Sequence, residues 1–262
     1  MSDIPVVILC GGYGTRLSEE TVCKPKPMVE VGNWPIVYHI MKHYAHYGHK
    51  RFILALGYKA EFVKSYFYNY RIAANDLTIT LDPDQPPIYH GSNSDSDWEI
   101  TLADTGLETL KGGRIKRIEK FIKADRFFLT YGDAVSNVNL DKLVEFHRNH
   151  GKLATLTGVN PPSRFGELSM EGDCIKSFEE KPQLSTGIIN GGYFLIEKEV
   201  LNDLTEDVNC DFEFGPMQNL AKNDHLMCYR HEGFWQCMDT LRDKNYLNKL
   251  WENENTPWKI WK

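Results

Sequence analysis

The amino-acid sequence predicts an α/β fold of three layers, with a mixed, mainly parallel central sheet and a small β-rich excursion. The first observation is a set of short, solid runs of β-branched and aromatic residues, typical of strands buried on both faces. These runs occupy residues 6–10, 52–57, 127–130 and 154–159. The second is that apolar residues at helical spacing lie between runs, at 35–47 and 140–150. Such alternation indicates a parallel sheet with helices on both faces.

The middle of the chain and its C-terminal third complete this fold. Residues 77–81 and 98–103 alternate like half-exposed strands, and residues 82–97 between them are rich in Pro, Asp, Ser and Asn. We expect those residues to form a mobile loop within the excursion. The pattern then predicts strands at 175–178, 193–196 and 226–229 and a last helix at 241–251. One domain spanning residues 1–262 is the simplest account.

Composition and charge exclude several classes of protein. The chain has 262 residues, of which 42% are hydrophobic and 25% charged, a globular profile that excludes disorder. Its net charge of −6 argues against a nucleic-acid or anionic-membrane partner. The apolar run at residues 5–10 is too short for a signal peptide or a membrane span. The six cysteines form no CxxC pair, so we expect free thiols and a cytoplasmic location.

A glycine-rich loop follows the first strand directly. It reads Leu9-Cys10-Gly11-Gly12-Tyr13-Gly14-Thr15-Arg16. Ligands of open parallel sheets bind beyond the carboxyl ends of strands, and glycines let backbone N–H groups approach an anion there. A Walker loop is excluded because no Gly-Lys-Ser/Thr triplet occurs, and a dinucleotide fingerprint because Leu17 stands at its third glycine. The loop therefore predicts a phosphate site with the Arg16 guanidinium at its tip, although an ordinary tight turn is the alternative.

A proline-framed pair of lysines comes next, in Lys24-Pro25-Lys26-Pro27-Met28. Alternating prolines hold this segment extended and stiff, so that one lysine can point at a fixed target while the other faces solvent. A solvated surface turn is the alternative. Arg16 and Lys26 in one strand-to-helix connection would crowd positive charge without an anion between them, which favours binding of phosphate.

Two aspartates follow predicted strands. Asp133 comes directly after the strand ending near Tyr131, in the same crevice as the glycine loop. Mg²⁺ prefers one or two carboxylates together with phosphate oxygens, so Asp133 is a candidate ligand, with an Asx turn as the alternative. Asp239 stands just before the last predicted helix, where its carboxylate would suit an N-cap.

Two further clusters suggest function and are given structural interpretations. Seven basic residues lie between Lys111 and Arg126, which we interpret as a solvated strand face rather than an RNA patch because the whole chain is acidic. His39, His43 and His46 fall on one face of the predicted helix at 35–47. No HExxH motif accompanies them, so a helix face at a subunit contact is favoured over a metal site.

Several blocks of sequence together resemble the sugar-1-phosphate nucleotidyltransferases. The segment GGYGTRLSEETVCKPKPMVEVG is similar to the signature of that family. The resemblance continues over nearly the whole chain, through DTGLETLKGGRIKRI, TYGDAVSNVN, FEEKP and INGGYF. The blocks RFGEL and GFWQCMDTLRDK resemble its cytidylyltransferase branch.

This resemblance implies a fold and a reaction. The fold would be Rossmann-like, with a nucleotide-binding part at about 1–140 and a sugar-phosphate-binding part at about 141–262. The reaction would be CTP plus α-D-glucose 1-phosphate giving CDP-glucose and pyrophosphate, with Mg²⁺ as cofactor. Its product would be a precursor for the synthesis of deoxysugars or surface polysaccharides. The enzyme would be a homo-oligomer, a hexamer, with the middle segment near an interface.

The resemblance also implies roles for individual residues. The catalytic residues would be Arg16, Lys26, Asp133 and Lys181, and the metal ligands Asp133 and Asp239. Nucleotide contacts would come from Leu9, Cys10, Gly11, Gly12, Tyr13, Gly14, Thr15, Arg16, Lys26, Thr109, Arg114 and Gly132. Sugar-phosphate contacts would come from Glu180, Lys181, Asn190 and Gly192. Arg114 is the candidate reader of cytosine, because a guanidinium donates to the O2 and N3 acceptors.

The chain departs from the family pattern at four positions, which are Lys111, Ala134, Asn137 and Cys237. Ala134 and Cys237 neighbour the two implied metal ligands, and Lys111 lies beside the implied base-reading segment. Two alternatives therefore stay open: a cytidylyltransferase acting on another phosphorylated acceptor, and a nucleotide- or sugar-phosphate-binding module without activity. Retention of Glu180 and Asn190 favours a sugar, and retention of Lys26 and Asp133 favours an enzyme.

Overall fold

The structure is a computed structural model that describes residues 4–91, 95–161, 166–171, 174–180 and 187–261. The strands, in chain order, are β1 (Val6–Cys10), β2 (Glu30–Val31), β3 (Trp34–Pro35), β4 (Arg51–Leu56), β5 (Asp76–Thr78), β6 (Ile88–His90), β7 (Glu99–Asp104), β8 (Arg126–Tyr131), β9 (Ala134–Ser136), β10 (Ala154–Val159), β11 (Gly166–Glu171), β12 (Cys174–Glu180), β13 (Ile189–Glu197), β14 (Leu226–His231) and β15 (Trp235–Cys237).

The helices lie between these strands. They are α1 (Ser18–Thr21), α2 (Ile36–His46), α3 (Ala60–Tyr68), α4 (Tyr70–Ala73), α5 (Lys111–Arg117), α6 (Leu140–His150), α7 (Gln218–Lys222) and α8 (Leu241–Glu252). Short 3₁₀ turns occur at Thr15–Leu17, Lys26–Met28, Glu119–Phe121 and Lys198–Asp203, and an irregular helical turn spans Glu213–Met217.

Seven strands form the central sheet, in the order β14-β10-β13-β8-β1-β4-β7. The pairs β8–β1, β1–β4, β4–β7 and β10–β14 are parallel, and β13 runs antiparallel to both of its neighbours. The α/β class, with a mixed and mainly parallel sheet, is therefore confirmed.

Helices cover both faces of the sheet, which makes three layers. Successive side chains of a strand point to opposite faces, so Val6 and Ile8 pack into one core and Val7 into the other. The first core includes buried residues of α2, α6 and α8, and the second includes buried residues of α5 and α7. Burial on both faces explains why β1 contains no polar side chain.

The middle of the chain differs from the sequence expectation. The segment predicted at 98–103 is β7, and it pairs in parallel with β4 as an edge strand of the central sheet rather than belonging to the excursion. Its alternating pattern arises because an edge strand is only half covered. The excursion is the hairpin β5–β6, in which Asp76 pairs with His90, so a strand lies inside the segment predicted as a loop.

The basic segment between Lys111 and Arg126 begins as a helix, not as a solvated strand face. Residues 111–117 form α5, and strand β8 begins only at Arg126. Ile115 and Ile118 are fully buried at helical spacing, and Arg114 is 5% exposed. The expectation failed because the charges obscured this apolar spacing.

The predicted histidine face is also corrected. His39 and His43 are buried within the chain, where their rings hydrogen-bond the carbonyl oxygens of Val31 and Val138 at 2.9 and 2.7 Å. Burial lowers the pKa of each imidazole to about 4, which keeps both rings neutral. Only His46 of the three is exposed, so this face packs in the core rather than at a subunit contact.

The cysteines agree with the sequence expectation. All six lie in the described ranges and carry free thiols. Within those ranges no helix has the length and apolar character needed to cross a bilayer.

Candidate active site

A cleft at the carboxyl ends of β1 and β8 brings most of the predicted nucleotide residues together. The cavity has a volume of about 1280 Å³. Its lining includes the predicted residues Leu9, Cys10, Gly11, Gly12, Tyr13, Gly14, Thr15, Arg16, Lys26, Thr109, Arg114, Gly132, Asp133 and Asp239. Asn190 and Gly192 lie beside this cavity rather than in its lining.

The glycine loop needs its glycines for different reasons. Gly14 has a φ of 66°, and a Cβ there would lie 2.8 Å from the Thr21 methyl and 2.9 Å from Lys26 Cβ. A Cβ at Gly12 would meet no described atom within 4 Å, so the backbone there borders open space in the cleft. A Cβ at Gly11 would lie 2.2 Å from the guanidinium of Arg114. Gly11 therefore makes room for an arginine of the protein itself.

Arg114 holds three chain segments together beneath the loop. Its Nη1 donates to the carbonyl of Leu56 at 3.0 Å and of Gly106 at 2.7 Å, and its Nη2 to the carbonyl of Gly11 at 3.1 Å and of Leu107 at 2.9 Å. Burial, followed by repulsion from nearby Arg117, lowers the pKa of Arg114. The structure thus gives Arg114 a positioning role in addition to the predicted contact with cytosine, which stays a prediction.

Lys26 is placed by the proline frame that the sequence indicated. Pro25 is extended, with φ −68° and ψ 150°, and Lys26 begins the 3₁₀ turn that carries it inward. The Lys26 ammonium lies 2.6 Å from Asp133 Oδ2 and 2.6 Å from Asp239 Oδ1. Its side chain is only 10% exposed, so this lysine is no part of a solvated turn.

A two-stranded antiparallel sheet of distant segments, β9 and β15, brings the aspartates to the same point. Ala134 of β9 pairs with Cys237 of β15, which places the residue before β9 next to the residues after β15. The backbone N–H of Met238 donates to the carbonyl of Asp133 at 2.8 Å. Two of the four departures from the family pattern are therefore register partners beside the carboxylates.

Asp239 does not cap the last helix. The N-cap of α8 is Thr240, which forms a capping box with Asp243. The Asp239 carboxylate instead accepts hydrogen bonds from Lys26 and, at 2.7 Å, from Arg16 Nη1. The Asp239 carboxylate is therefore available for binding in the cleft instead of capping α8.

The charges in this cluster stabilise one another. Burial acts to lower the pKa of Lys26, but Asp133 and Asp239 outweigh it, and the pKa is raised. Burial acts to raise the pKa of Asp239, but Lys26 and Arg16 hold it below its usual value. Burial, with help from Asp239 and Asp133, raises the pKa of the Cys237 thiol to about 12, so its S–H can donate to Asp239. The cluster is ionic at neutral pH, with a protonated lysine between two carboxylates.

The two carboxylates fit a divalent cation bound together with phosphate. Both have an oxygen 2.6 Å from Lys26 Nζ, so they already converge on one positive group. In the described ranges no group of three or more His, Cys, Asp or Glu residues is arranged to hold a metal ion. A hard cation here would take its remaining ligands from substrate oxygens and water, which is how Mg²⁺ is usually held in phosphoryl-transfer sites.

Asn190 and Gly192, two of the residues predicted for the sugar, lie beside the cleft, next to Tyr131 of its lining. Asn190 Nδ2 lies 3.2 Å from the Tyr131 hydroxyl, and Asn190 Oδ1 accepts from the Gly192 N–H at 2.9 Å. Gly192 has a φ of 78°, and a Cβ there would lie 2.5 Å from the Tyr131 ring. Lys181 lies outside the described residues, and of Glu180 only the backbone, at the end of β12, is described.

Sequence reasoning missed one polar cluster here. Glu213 Oε1 accepts hydrogen bonds from the Tyr131 hydroxyl at 2.6 Å and from the Lys111 ammonium. Lys111 also lies over the Tyr131 ring, 5.2 Å from its centroid. The signal that could have found the cluster is the pair Gly112-Gly113, because adjacent glycines in a helix indicate close packing against another segment.

Comparisons with known proteins give one consistent family. The family model described as nucleotidyl transferase matches residues 5–236. The glucose-1-phosphate cytidylyltransferase of Salmonella typhi is 46% identical over 256 residues, covering 97% of this chain and 98% of that protein. A Bacillus subtilis protein named "Probable glucose-1-phosphate cytidylyltransferase" is 43% identical over 255 residues, covering 97% of this chain and 99% of that protein.

Solved structures agree on the fold. A structure of UDP-glucose pyrophosphorylase complexed with UDP-glucose superposes with a TM-score of 0.69. It is 14% identical, covering 96% of this chain and 99% of that chain. At this level of identity the likeness shows a shared Rossmann-like fold and nothing about the substrate.

Proposed function

Because the chain belongs to the nucleotidyl transferase family, we propose that it transfers a cytidylyl group from CTP to α-D-glucose 1-phosphate, giving CDP-glucose and pyrophosphate. A phosphate oxygen of the sugar phosphate attacks the α-phosphorus of CTP. The new P–O bond forms as the bond to the β-phosphate oxygen breaks, and pyrophosphate leaves with that electron pair. The acceptor itself supplies the nucleophile, so the protein acts by positioning and by neutralising charge.

The observation that carries this proposal is the cluster of Lys26, Arg16, Asp133 and Asp239 at the mouth of the glycine loop. Arg16 is 67% exposed at its side chain and pairs with Asp239 at 2.7 Å, so it can turn toward a triphosphate. Lys26 is protonated and buried, and its charge acts strongly on phosphate oxygens in this poorly solvated place. Together the two cations neutralise the triphosphate and the leaving pyrophosphate.

Mg²⁺ is part of the proposal. Asp133 and Asp239 would hold it, and when bound it would neutralise charge on the phosphate oxygens. The two carboxylates also hold and orient the Lys26 ammonium.

The residues for the base and the acceptor are assigned from the family resemblance, and the structure describes part of the nucleotide wall. Thr109 is 4% exposed and its hydroxyl accepts from Arg117 at 2.8 Å, which fixes this wall of the nucleotide site. We assign cytosine recognition to Arg114 and a further nucleotide contact to Thr109. We assign the sugar phosphate to Lys181, Glu180, Asn190 and Gly192, which follow from the family resemblance.

The test is a pyrophosphate-release assay with the full chain and Mg²⁺, across the four ribonucleoside triphosphates and a panel of phosphorylated acceptors. We expect CTP with glucose 1-phosphate to give the highest kcat/KM. Highest activity with another acceptor would correct the substrate, and release with no pair would favour a binding module without activity.

Three further features belong to the proposal and have their own measurements. We propose that residues 1–140 form approximately the nucleotide-binding part and residues 141–262 the sugar-phosphate-binding part. Chemical-shift mapping with CTP and with glucose 1-phosphate tests this division. A homo-oligomer, specifically a hexamer, is tested by native mass spectrometry. A cytoplasmic location is tested by cell fractionation.

A further inference from the structure

The cluster of Lys111, Tyr131 and Glu213 lies behind the acceptor end of the cleft. Lys111 and Tyr131 are part of the cavity lining, whereas Glu213 is not. The second carboxylate oxygen of Glu213, Oε2, is buried and has no hydrogen-bond partner among the residues that the structure describes. Glu213 therefore acts on the cleft through the two side chains that it binds with Oε1.

The polarity of the hydrogen bonds around Tyr131 is determined by groups at both ends. The Glu213 carboxylate only accepts, so the Tyr131 hydroxyl must donate to it, at 2.6 Å. Burial, and then the charge of Glu213, raises the pKa of Tyr131, which keeps this hydroxyl protonated. The Gly192 N–H only donates, so the oxygen of the Asn190 amide faces it. Asn190 Nδ2 therefore donates one hydrogen to the Tyr131 oxygen.

This arrangement leaves the second N–H of the exposed Asn190 amide available to the acceptor. A sugar hydroxyl at that point would meet a donor whose direction is already determined. The Tyr131 ring packs closely on Gly192, where a Cβ would lie 2.5 Å from it, so the ring cannot tilt toward that side. A donor held in one orientation binds its partner with a smaller entropic cost than a mobile one.

Backbone packing holds Glu213 itself in place. The Gly113 N–H donates to the Cys210 carbonyl at 3.0 Å, and the Leu110 N–H to the Val208 carbonyl at 2.8 Å. A Cβ at Gly112 would lie 2.8 Å from the Cys210 carbonyl oxygen, and one at Gly113 would lie 2.4 Å from that of Asp207. The start of α5 is thereby fastened to residues 207–213, which brings Lys111 and Glu213 together.

We propose that Glu213 is a positioning residue for acceptor binding, which orients the Asn190 amide through the Tyr131 hydroxyl and holds the Lys111 ammonium at the cleft wall. The inference rests on the proposed function, since it takes the acceptor to be a sugar phosphate with free hydroxyls. It concerns binding of the acceptor and leaves the attack on CTP to the cluster around Lys26.

The experiment measures KM for glucose 1-phosphate and for CTP in the wild type, Glu213→Gln, Tyr131→Phe and Asn190→Ala. A glutamine at 213 keeps the shape of the side chain but loses the charge that binds Lys111, and its amide can donate to the Tyr131 oxygen. We expect Glu213→Gln and Tyr131→Phe each to raise the KM for glucose 1-phosphate by about tenfold, the effect of one lost hydrogen bond, with less than a threefold change in the KM for CTP.

A double-mutant cycle separates this role from a merely structural one. In the Asn190→Ala background, Glu213→Gln should change the KM for glucose 1-phosphate less than about twofold, because the group it orients is already gone. The control is Glu197→Gln, a carboxylate of similar exposure that pairs with Arg126 at 3.1 Å outside the cleft lining. It should leave both KM values unchanged.

Two results would overturn the inference: an unchanged KM for the acceptor in Glu213→Gln, or the same tenfold effect with and without Asn190. If Glu213→Gln does not fold, Tyr131→Phe and its cycle with Asn190→Ala decide the question. If the wild type uses a different phosphorylated acceptor, the proposed function fails on substrate, and the same cycle measured with that acceptor still tests Glu213.

Discussion

Two buried cations that line the cleft, Lys26 and Arg114, are held by different kinds of partner. Lys26 contacts two carboxylates, Asp133 and Asp239, each 2.6 Å away. Arg114 contacts main-chain carbonyls, among them those of Gly11 and Leu56. Carboxylates that line a cleft can bind another cation in place of a lysine ammonium, or the ammonium can bind a carboxylate and a phosphate together. Main-chain carbonyls are held in position by the fold, so they cannot change partners in this way.

The difference in partners indicates that Lys26 acts in the reaction and that Arg114 stabilises the structure of the site. The cluster around Lys26 consists of charged side chains that line the site where the reaction is proposed, so changes there should act on kcat. The cluster around Arg114 ties the glycine loop to the ends of two strands, so changes there should act on stability and on nucleotide affinity.

Replacing Lys26 by Met should keep the apolar stem and remove the charge. We expect kcat to fall by about 10²-fold or more, the size of effect seen when one donor to transition-state charge is lost. The measurement is turnover at saturating CTP and glucose 1-phosphate, with circular dichroism to verify folding. The matched control is Lys24→Met, which removes a lysine paired with Glu30 at 3.3 Å. Equal turnover in folded Lys26→Met and wild type would remove Lys26 from the mechanism.

Asp133→Asn and Asp239→Asn test the carboxylates. Each should raise the Mg²⁺ concentration needed for half-maximal activity by at least about tenfold, while binding of glucose 1-phosphate changes much less. Asp243→Asn is the control, since Asp243 belongs to the capping box of α8. It should cost about 1 kcal/mol of stability and leave the metal response unchanged. A metal response unaltered in Asp239→Asn would show that this carboxylate serves only Lys26 and Arg16.

Arg114→Lys should act mainly on stability. A lysine cannot reach the carbonyls that the guanidinium joins, and each buried carbonyl left without a donor costs about 1–3 kcal/mol. We expect the free energy of unfolding to fall by about 3 kcal/mol and the KM for CTP to rise. Arg126→Lys is the control, because Arg126 pairs with Glu197 at a partly exposed site. A stable Arg114→Lys that loses only its preference for CTP would show that base reading is the whole role of Arg114.

Gly11→Ala and Gly12→Ala test whether Arg114 supports the glycine loop from beneath. A Cβ at Gly11 would overlap the Arg114 guanidinium, so Gly11→Ala should cost about 1–3 kcal/mol as overpacking does. A Cβ at Gly12 meets no described atom within 4 Å, so Gly12→Ala should change stability by less than about 0.5 kcal/mol. Denaturant unfolding of the two variants measures both. Equal stability losses would contradict the role given to Arg114 beneath the loop.

Much of this site was predictable because its signals are local. The solid apolar run of β1 determines a buried strand, the glycines after it mark the loop, and the prolines around Lys26 limit where that side chain can point. Asp133 follows β8 directly. Each inference needed only a few consecutive residues and the rule that ligands bind at the carboxyl ends of parallel strands.

The remaining parts depend on contacts between distant segments. Asp239 reaches Lys26 because β15 pairs with β9, and no local pattern separates that role from a helix cap. The buried position of Arg114 follows from helix α5, whose charges suggested an exposed strand. Glu213 meets Lys111 because two glycines of α5 pack on residues 207–211. The histidines of α2 were misjudged for the same reason, since a polar side chain can be buried when backbone carbonyls accept its hydrogen bond.

The central claim is that this chain makes CDP-glucose, and a competition experiment tests it most directly. The enzyme is given equimolar CTP, UTP and dTTP with glucose 1-phosphate and Mg²⁺, and the nucleotide sugars formed at early times are identified by mass. Cytosine and uracil reverse donor and acceptor at positions 3 and 4, and each buried group left unpaired costs about 1–3 kcal/mol. We therefore predict CDP-glucose in about 10- to 100-fold excess over UDP-glucose. UDP-glucose or dTDP-glucose in equal or greater amount would contradict the assignment to cytidylyl transfer.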